Sequence, residues 1–305
     1  NNDDTVGGLL QNFPLEAIQE FNFVTQRFKA EYGRSNGGVM NIVTKSGTNE
    51  LRGSAFTLFR DKSLNAKTFS ETINEADKGD YRRYQFGGSF GGPIVMNKAH
   101  YFAAIERTQQ DTSQQVDTNG VFADQEGSYD IPVRETLFTG KVTWNLTPQQ
   151  YLAVRYGRNN NSQPYGAGLR AAPSGWSTSK NTFNTFNVNH NWVLGGSKLN
   201  EFIFQYADFA NGIPLSSSDP WLIFPGGITG GANPNTPQAT EQTKWQFRND
   251  FTCGMTGMGG IGHDSKAGVN WIHEPHLYAT FNGGNEPQYT FTSENPNGPI
   301  RLITF

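Results

Sequence analysis

Polar and apolar residues alternate with a period of two along most of this chain. Between residues 137 and 146, one set of alternate positions carries Phe138, Val142 and Trp144, and the other set carries Thr139, Lys141 and Asn145. The same division recurs near residues 152–156, 185–194, 201–206, 243–251 and 266–271. Alternation in so many segments predicts β-strands that have one apolar face and one polar face.

The spacing of these segments predicts how the strands are connected. Residues 51–61, 81–92 and 98–109 also resemble strands, but their alternation is less regular and they are rich in glycine. Together with the segments above, they predict about nine strands of roughly ten residues. Short links near residues 93–97, 147–150, 195–197 and 254–262 alternate with long links near 62–80, 110–136, 158–180 and 211–240. Strands of this length, with turns at one end and long loops at the other, are typical of an antiparallel transmembrane β-barrel.

Composition and charge narrow the class of protein further. The chain has 305 residues, of which only 17% are charged, against roughly 25% in typical soluble domains. No apolar run reaches the roughly 18 residues of a membrane-spanning helix. The net charge of -3 opposes a nucleic-acid partner, and the lone Cys253 cannot form an internal disulfide. Because the chain begins Asn-Asn-Asp-Asp with no signal-peptide pattern, we interpret it as an internal piece of a longer protein.

Two motifs match enzyme signatures, but their surroundings do not fit the chemistry. Residues 87–91 match G-x-S-x-G, yet Gly92-Pro93 follows where a nucleophile elbow requires a helix. Residues 257–262 match G-x-G-x-x-G, yet they lead into a strand pattern instead of the helix that would bind a phosphate. We therefore predict no catalytic residue, no cofactor and no enzymatic activity.

Two further groups of residues could in principle bind a metal. His273 and His276 flank Pro275, which rules out the helical spacing of a zinc protease. The loop that contains Asp117 and Glu126 could hold calcium, but it lacks the EF-hand pattern. Solvated loops are the better interpretation of both groups, and no metal site is predicted.

The first fifty residues contain a group of motifs that differs from the strand pattern of the rest: Tyr32-Gly33, Gly37-Gly38 and the strand pattern Asn41-Ile-Val-Thr-Lys45. These motifs resemble the end of the plug domain of TonB-dependent outer-membrane transporters. Arg34, the Ser46-Gly-Thr-Asn49 that leads to Gly53, and the Gln85-to-Ile94 segment resemble the Oar-like subgroup. The resemblance is specific for residues 1 to about 107, and beyond them it extends only to the barrel pattern.

This resemblance implies an organisation and a location. Residues 1–48 would be the C-terminal end of a plug domain, and residues 49–305 the N-terminal part of a barrel, an open curved sheet in the outer membrane of a Gram-negative bacterium. The plug motif would comprise Tyr32, Gly33, Arg34, Gly37, Gly38, Asn41 and Lys45. The family implies that the lipid of the outer membrane is one partner, and that the TonB–ExbB–ExbD complex acts through an N-terminal region missing from this sequence. It also implies uptake of a ligand, which the sequence leaves open among peptide, glycan and chelated metal.

Residues that would meet the ligand are predicted from the polar faces and the loops. The lumen-facing candidates are Lys141, Arg155, Asn187, Asn189, Gln205 and Arg248, and the loop candidates are Trp221 and Phe224. Two other functions stay open at this point. One is a passive porin or adhesion barrel, and the other is a soluble β-rich carbohydrate-binding protein or hydrolase.

Overall fold

The computed structural model of the protein describes residues 11–25, 38–67, 69–73, 75, 77–256, 262–281 and 286–304. Of the predicted plug-motif residues, Tyr32, Gly33, Arg34 and Gly37 lie outside the described residues, as does most of the G-x-G-x-x-G motif. Over the described ranges, no helix is long and apolar enough to cross a membrane.

Nearly all regular structure is β-strand. The strands are β1 (Ile18–Val24), β2 (Val39–Thr44), β3 (Arg52–Asp61), β4 (Tyr81–Val95), β5 (Ala99–Val116), β6 (Gly127–Asp130), β7 (Val133–Thr147), β8 (Gln150–Tyr165), β9 (Ser177–Gly195), β10 (Lys198–Ile213), β11 (Trp221–Phe224), β12 (Ile228–Gly230), β13 (Gln238–Thr256), β14 (Gly262–Phe281), β15 (Gln288–Phe291) and β16 (Ile300–Thr304). Helical structure is confined to α1 (Phe69–Ile73) and to 3₁₀ turns at Leu15–Ala17, Lys62–Leu64, Ala123–Gln125, Pro173–Gly175 and Pro225–Gly227.

A single antiparallel sheet dominates the fold. Within the described residues, nine strands follow the order β14-β13-β10-β9-β8-β7-β5-β4-β3, and β6 pairs with β5 beside this path. The predicted all-β, partial-barrel class with about nine wall strands is confirmed. The predicted strand length of roughly ten residues is wrong for most of the sheet, because the wall strands after β3 have 15 to 20 residues. They continue into what the sequence predicted as long loops, since polar residues there extend the backbone ladder beyond the apolar band.

The two faces of the sheet differ in chemistry. Directly paired residues lie on the same face of an antiparallel sheet. One cross-strand row consists of Val142, Val154, Val188, Phe204, Phe247 and Trp271. The adjacent row on the opposite face contains Lys141, Arg155, Asn187, Gln205 and Gln246. We call the face that carries Val154 the outer face and the face that carries Arg155 the inner face.

Two smaller sheets complete the fold. Strands β1 and β2 form an antiparallel pair, in which Asn41 pairs with Asn22. Strands β12, β11, β15 and β16 form a four-stranded sheet built from the long connections of the wall. Its core consists of Val121, Phe224, Ile228 and Phe291. The long connections after β5, β10 and β14 therefore share one hydrophobic core, and we call this sheet with its core the loop cap.

Candidate functional site: the contact between the N-terminal segment and the inner face

Residues 11–17 and 44–47 cross the inner face of the wall, and we call them the N-terminal segment. The sequence 13–20 predicts a helical turn after Pro14, but the structure limits it to the 3₁₀ turn Leu15–Ala17, after which β1 begins directly at Ile18. The backbone N–H of Lys45 donates to the carbonyl of Ala17 at 2.8 Å, which joins the two parts of the segment. Ala17 is fully buried against Phe102 and Ala104 of β5.

A buried carboxylate of the wall holds the turn. Glu106 lies on the inner face of β5 and is only 5% exposed. Its Oε2 accepts a hydrogen bond from the backbone N–H of Leu15 at 2.8 Å, and its Oε1 accepts one from the side chain of Gln85 at 2.6 Å. Both oxygens therefore have a donor, as a buried carboxylate requires.

A second carboxylate, on the segment itself, points to the wall. Glu16 Oε2 accepts a hydrogen bond from the hydroxyl of Ser54 on β3 at 2.7 Å, and the ammonium of Lys45 lies 3.4 Å from the same oxygen. The hydrogen bond from Ser54, followed by the charge of Lys45, lowers the pKa of the Glu16 carboxyl. A cavity of about 430 Å³ adjoins this contact and is lined by Glu16, Lys45 and Arg52.

Two cations of the wall lie beneath the segment. Lys141 Nζ donates to the carbonyl oxygen of Thr44 at 3.0 Å. The guanidinium of Arg155 lies 5.1 Å from the centre of the Phe13 ring, within the range of a cation–π contact. Lys141 and Arg155 are cross-strand partners, so the segment covers two like charges that are side by side.

Close packing at one glycine fixes how the segment passes the wall. A Cβ on Gly47 would lie 2.0 Å from the carbonyl oxygen of Tyr101 and 2.8 Å from that of Gly92. Both obstacles are backbone atoms of paired wall strands, which cannot turn aside as a side chain can. Only glycine fits at this position.

Several buried polar atoms around this contact have no hydrogen-bond partner among the described residues. They are Thr139 Oγ1, Arg155 Nε, Asn159 Oδ1 and Thr185 Oγ1. These residues surround Gly157 on three adjacent strands, and an added Cβ at Gly157 would lie 2.6 Å from the side-chain amide of Gln11. Because an unsatisfied buried polar atom costs free energy, this part of the interface weakens the attachment of the segment.

The remaining predicted lumen residues are distributed over two rows of the inner face. Asn187 and Gln205 continue the row of Lys141 and Arg155. Asn189 lies in the neighbouring row and donates to the Asn187 side-chain oxygen at 2.9 Å. Arg248 lies in the same row as Asn189, because both residues pair with Ile203. Arg248 forms an ion pair of 2.6 Å with Asp250. A role of these residues in ligand transit stays a prediction.

Sequence reasoning missed the acidic members of the inner face. Lys244 pairs with Glu274 at 3.0 Å, and Lys266 lies 3.3 Å from Asp250 and 3.5 Å from Glu201. The alternation of the sequence could have placed Glu106 on the inner face, because it lies two and four residues after Ala104 and Phe102 and so shares their face of β5. The partners of these carboxylates come from other strands, which no local pattern contains.

The two predicted loop candidates occupy different environments. Phe224 is 2% exposed, stacks on Phe291 with ring centres 4.4 Å apart, and belongs to the core of the loop cap. The ring therefore serves the core of the loop cap in this structure, and its role as a ligand contact stays a prediction. Trp221 is half-buried at the start of β11. The acidic loop also has a structural role, because Glu126 Oε1 accepts from the backbone N–H groups of Thr118 and Gly120, which lowers the pKa of Glu126.

Comparisons with known proteins now add to this geometry. Residues 43–134 match the family described as an outer membrane beta barrel domain. The TonB-dependent transporter Oar of Myxococcus xanthus is 31% identical over 131 residues, which are 42% of this chain and 12% of that protein. The chain is a relative of the TonB-dependent outer-membrane transporters.

A second known protein is similar over more of the chain. The ferric enterobactin receptor PirA of Pseudomonas aeruginosa is 28% identical over 220 residues, which are 65% of this chain and 26% of that protein. The chain thus spans between an eighth and about a quarter of the length of these two relatives. The predicted location in the outer membrane of a Gram-negative bacterium is confirmed.

Solved structures of outer-membrane transporters share the fold. The outer membrane transporter YddB from Escherichia coli superposes with a TM-score of 0.70 at 13% identity, over 99% of this chain and 40% of that chain. The siderophore receptor PirA from Acinetobacter baumannii gives a TM-score of 0.52 at 14% identity, over 78% of this chain and 32% of that chain. At these identities the likeness shows the fold alone.

Proposed function

We propose that the chain is the part of a TonB-dependent receptor in which the end of the plug domain, residues 1–48, meets the N-terminal part of the barrel wall, residues 49–305. The whole receptor takes up a ligand across the outer membrane, and the TonB–ExbB–ExbD complex supplies the energy. The relatives named above are transporters and receptors, which supports transport over an enzymatic function.

One observation carries this proposal. The inner face is polar, and the N-terminal segment covers it through a few hydrogen bonds, one cation–π contact and a small apolar contact. Within the described part of the chain, several buried polar atoms at the contact have no hydrogen-bond partner, so the attachment is weaker than that of a hydrophobic core. A segment held in this way can leave the wall, and its departure exposes a polar surface along which a hydrophilic ligand can pass.

The experiment measures this departure in living cells that carry the full-length receptor. Cys253 is first replaced by serine, and Thr139→Cys then places a thiol on the inner face, where Thr139 is fully buried. Labelling of this thiol by a maleimide is expected to rise in energised cells in complex medium, and to stay low when TonB is removed or a protonophore is added. Asn297→Cys, in an exposed loop, is the control and should be labelled equally in all conditions.

A passive porin or adhesion barrel gives a different result. Its inner face would be labelled to the same extent with and without TonB, because no energy-coupled step would uncover Thr139. That outcome would reject the proposal.

A further inference from the structure

A small pocket lies between two long connections of the wall, away from the N-terminal segment. It has a volume of about 200 Å³ and is formed by the connection after β8 and by the connection between β10 and β13. Its lining residues include Trp221, Asn233 and Asn235, together with the glycines Gly166, Gly175 and Gly231. The volume is below the roughly 300 to 1,000 Å³ of sites that enclose a drug-sized ligand, so the pocket fits one ring or one end of a larger molecule.

The lining contains no charged residue. Its members are glycine, alanine, proline, threonine, asparagine and tryptophan. An anionic group, such as the carboxylate or catecholate of an iron chelate, would lose its hydration here without gaining an opposite charge. The pocket therefore favours a neutral ligand.

Polar groups at the pocket have hydrogen-bonding capacity to spare. Among the described residues, the indole Nε1 of Trp221, the Nδ2 of Asn233 and the side-chain amide of Asn235 make no hydrogen bond, whereas Asn233 Oδ1 accepts from the backbone N–H of Asn235 at 3.0 Å. An indole offers an apolar ring with one donor, and an amide offers both donors and an acceptor. This combination suits a ligand that carries hydroxyl groups around an apolar ring face.

The pocket walls are fixed by hydrogen bonds that do not involve a ligand. The N–H of Gly231 donates to Ser174 Oγ at 3.0 Å, and the N–H of Asn233 donates to Ser216 Oγ at 2.8 Å. Gly231 has a positive φ of 75°, and a Cβ there would lie 1.9 Å from the carbonyl oxygen of Pro220. A preformed pocket binds with a smaller loss of conformational entropy than loops that must order first.

A bound peptide strand is disfavoured by the same geometry. Extended peptides commonly add to a free strand edge through backbone hydrogen bonds. At β12 that edge is already used, because the N–H of Thr229 donates to the carbonyl of Arg170 at 2.9 Å and its carbonyl accepts from the N–H of Ala172 at 2.8 Å. The pocket offers side-chain amides and an indole instead of a backbone ladder.

We propose that this pocket, formed by Trp221, Asn233 and Asn235, binds an uncharged sugar ring, so that the ligand of the receptor includes a neutral glycan unit. This inference rests on the proposed function only in so far as the bound glycan is the transported ligand. The binding itself needs neither TonB nor an energised membrane.

The test uses the full-length receptor in detergent, with 5-fluorotryptophan in place of tryptophan. The ¹⁹F resonance of Trp221 is assigned by its loss in Trp221→Phe. The probes are glucose, galactose, mannose, N-acetylglucosamine and maltose, compared with citrate, ferric enterobactin and trialanine. At least one of the sugars is expected to shift the Trp221 resonance in a saturable way while leaving that of Trp245, on the outer face, unchanged.

Asn235→Ala is expected to weaken this sugar about three- to tenfold, as the loss of one hydrogen bond would. Asn235 is exposed, so the variant should fold, and Asn297→Ala, another exposed loop asparagine, should leave binding unchanged. The proposal is overturned if no sugar shifts Trp221, or if citrate, the iron chelate or the peptide does so at lower concentration than any sugar. Because the measurement is made without TonB, failure of energy-coupled uptake would not alter its outcome.

Discussion

Thr139 and Val142 lie on the same strand, yet the polar residue is fully buried and the apolar one is 40% exposed. The same inversion holds across the sheet, where Thr185 on the inner face is 1% exposed and Val269 on the outer face is 72% exposed. In water, this arrangement would place apolar side chains in the less favourable environment on every strand. It is stable when lipid covers the outer face and when the N-terminal segment and the ion pairs satisfy the inner one.

The two faces should also differ in which amino-acid substitutions they tolerate. The outer face requires only apolar side chains of sufficient area, because lipid has no fixed partner atoms. The inner face depends on individual atoms, such as the Glu106 oxygens and the space at Gly47. Substitutions on the two faces should therefore fail for different reasons.

The largest effect is expected from a charge placed on the outer face. Val154→Arg should lower the free energy of unfolding of the full-length protein by about 2 to 4 kcal/mol if the site lies near the bilayer midplane. Asn189→Arg, on the neighbouring strand but at a half-buried position of the inner face, should cost much less, because a wet interior solvates a guanidinium. A denaturant titration in lipid vesicles measures both. Equal costs would remove the distinction between the faces.

The outer face was also the part of the fold that the sequence predicted best. Alternation at Val142, Val154 and Val188 reports a property that each strand has by itself, so a single sequence reveals it. The contacts of Glu16 with Ser54 and of Leu15 with Glu106 join residues 38 and 91 positions apart, and no local pattern encodes them. The place of Phe224 in the core of the loop cap was not predicted for the same reason, because its partner Phe291 belongs to a distant connection.

A smaller effect is expected where the segment approaches the inner face most closely. Gly47→Ala should destabilise the protein by about 1 to 3 kcal/mol, since the methyl group would overlap the backbone of two wall strands. Gly195→Ala is a contrasting control, because its Cβ would meet nothing within 4 Å and its cost would arise from its φ of 91° alone. Maleimide labelling of Thr139→Cys should increase in the Gly47→Ala background and not in the Gly195→Ala background. Unchanged labelling in both would show that Gly47 does not position the segment.

Loss of charge at the buried carboxylate should have a more modest effect. Glu106→Gln keeps the shape of the side chain but replaces one acceptor oxygen by a donor group, which would face the N–H of Leu15 or the amide of Gln85. We expect a loss of about 0.5 to 1.5 kcal/mol in the attachment of the segment, measured by hydrogen exchange of residues 15–18. Glu50→Gln, whose carboxylate contacts the exposed Arg52 and no other described residue, should leave the exchange unchanged. Faster exchange in both variants would indicate a general effect of charge.

The smallest effect is a pH dependence of the same attachment. The pKa of Glu16 in the folded protein is lowered from 4.5 by the Ser54 hydroxyl and then by Lys45, so the contribution of Glu16 to stability is present at neutral pH. It should be lost as the pH falls below 4.5 and through the lower folded pKa, because a protonated carboxyl no longer attracts Lys45. Glu16→Gln should remove this part of the pH dependence between pH 7 and pH 3, while Glu50→Gln should not. The measurement is the rate of hydrogen exchange of residues 15–18 as a function of pH, after correction for the intrinsic rate. An identical profile in wild type and Glu16→Gln would mean that the inner face holds the segment through Glu106 and Lys141 without the help of Glu16.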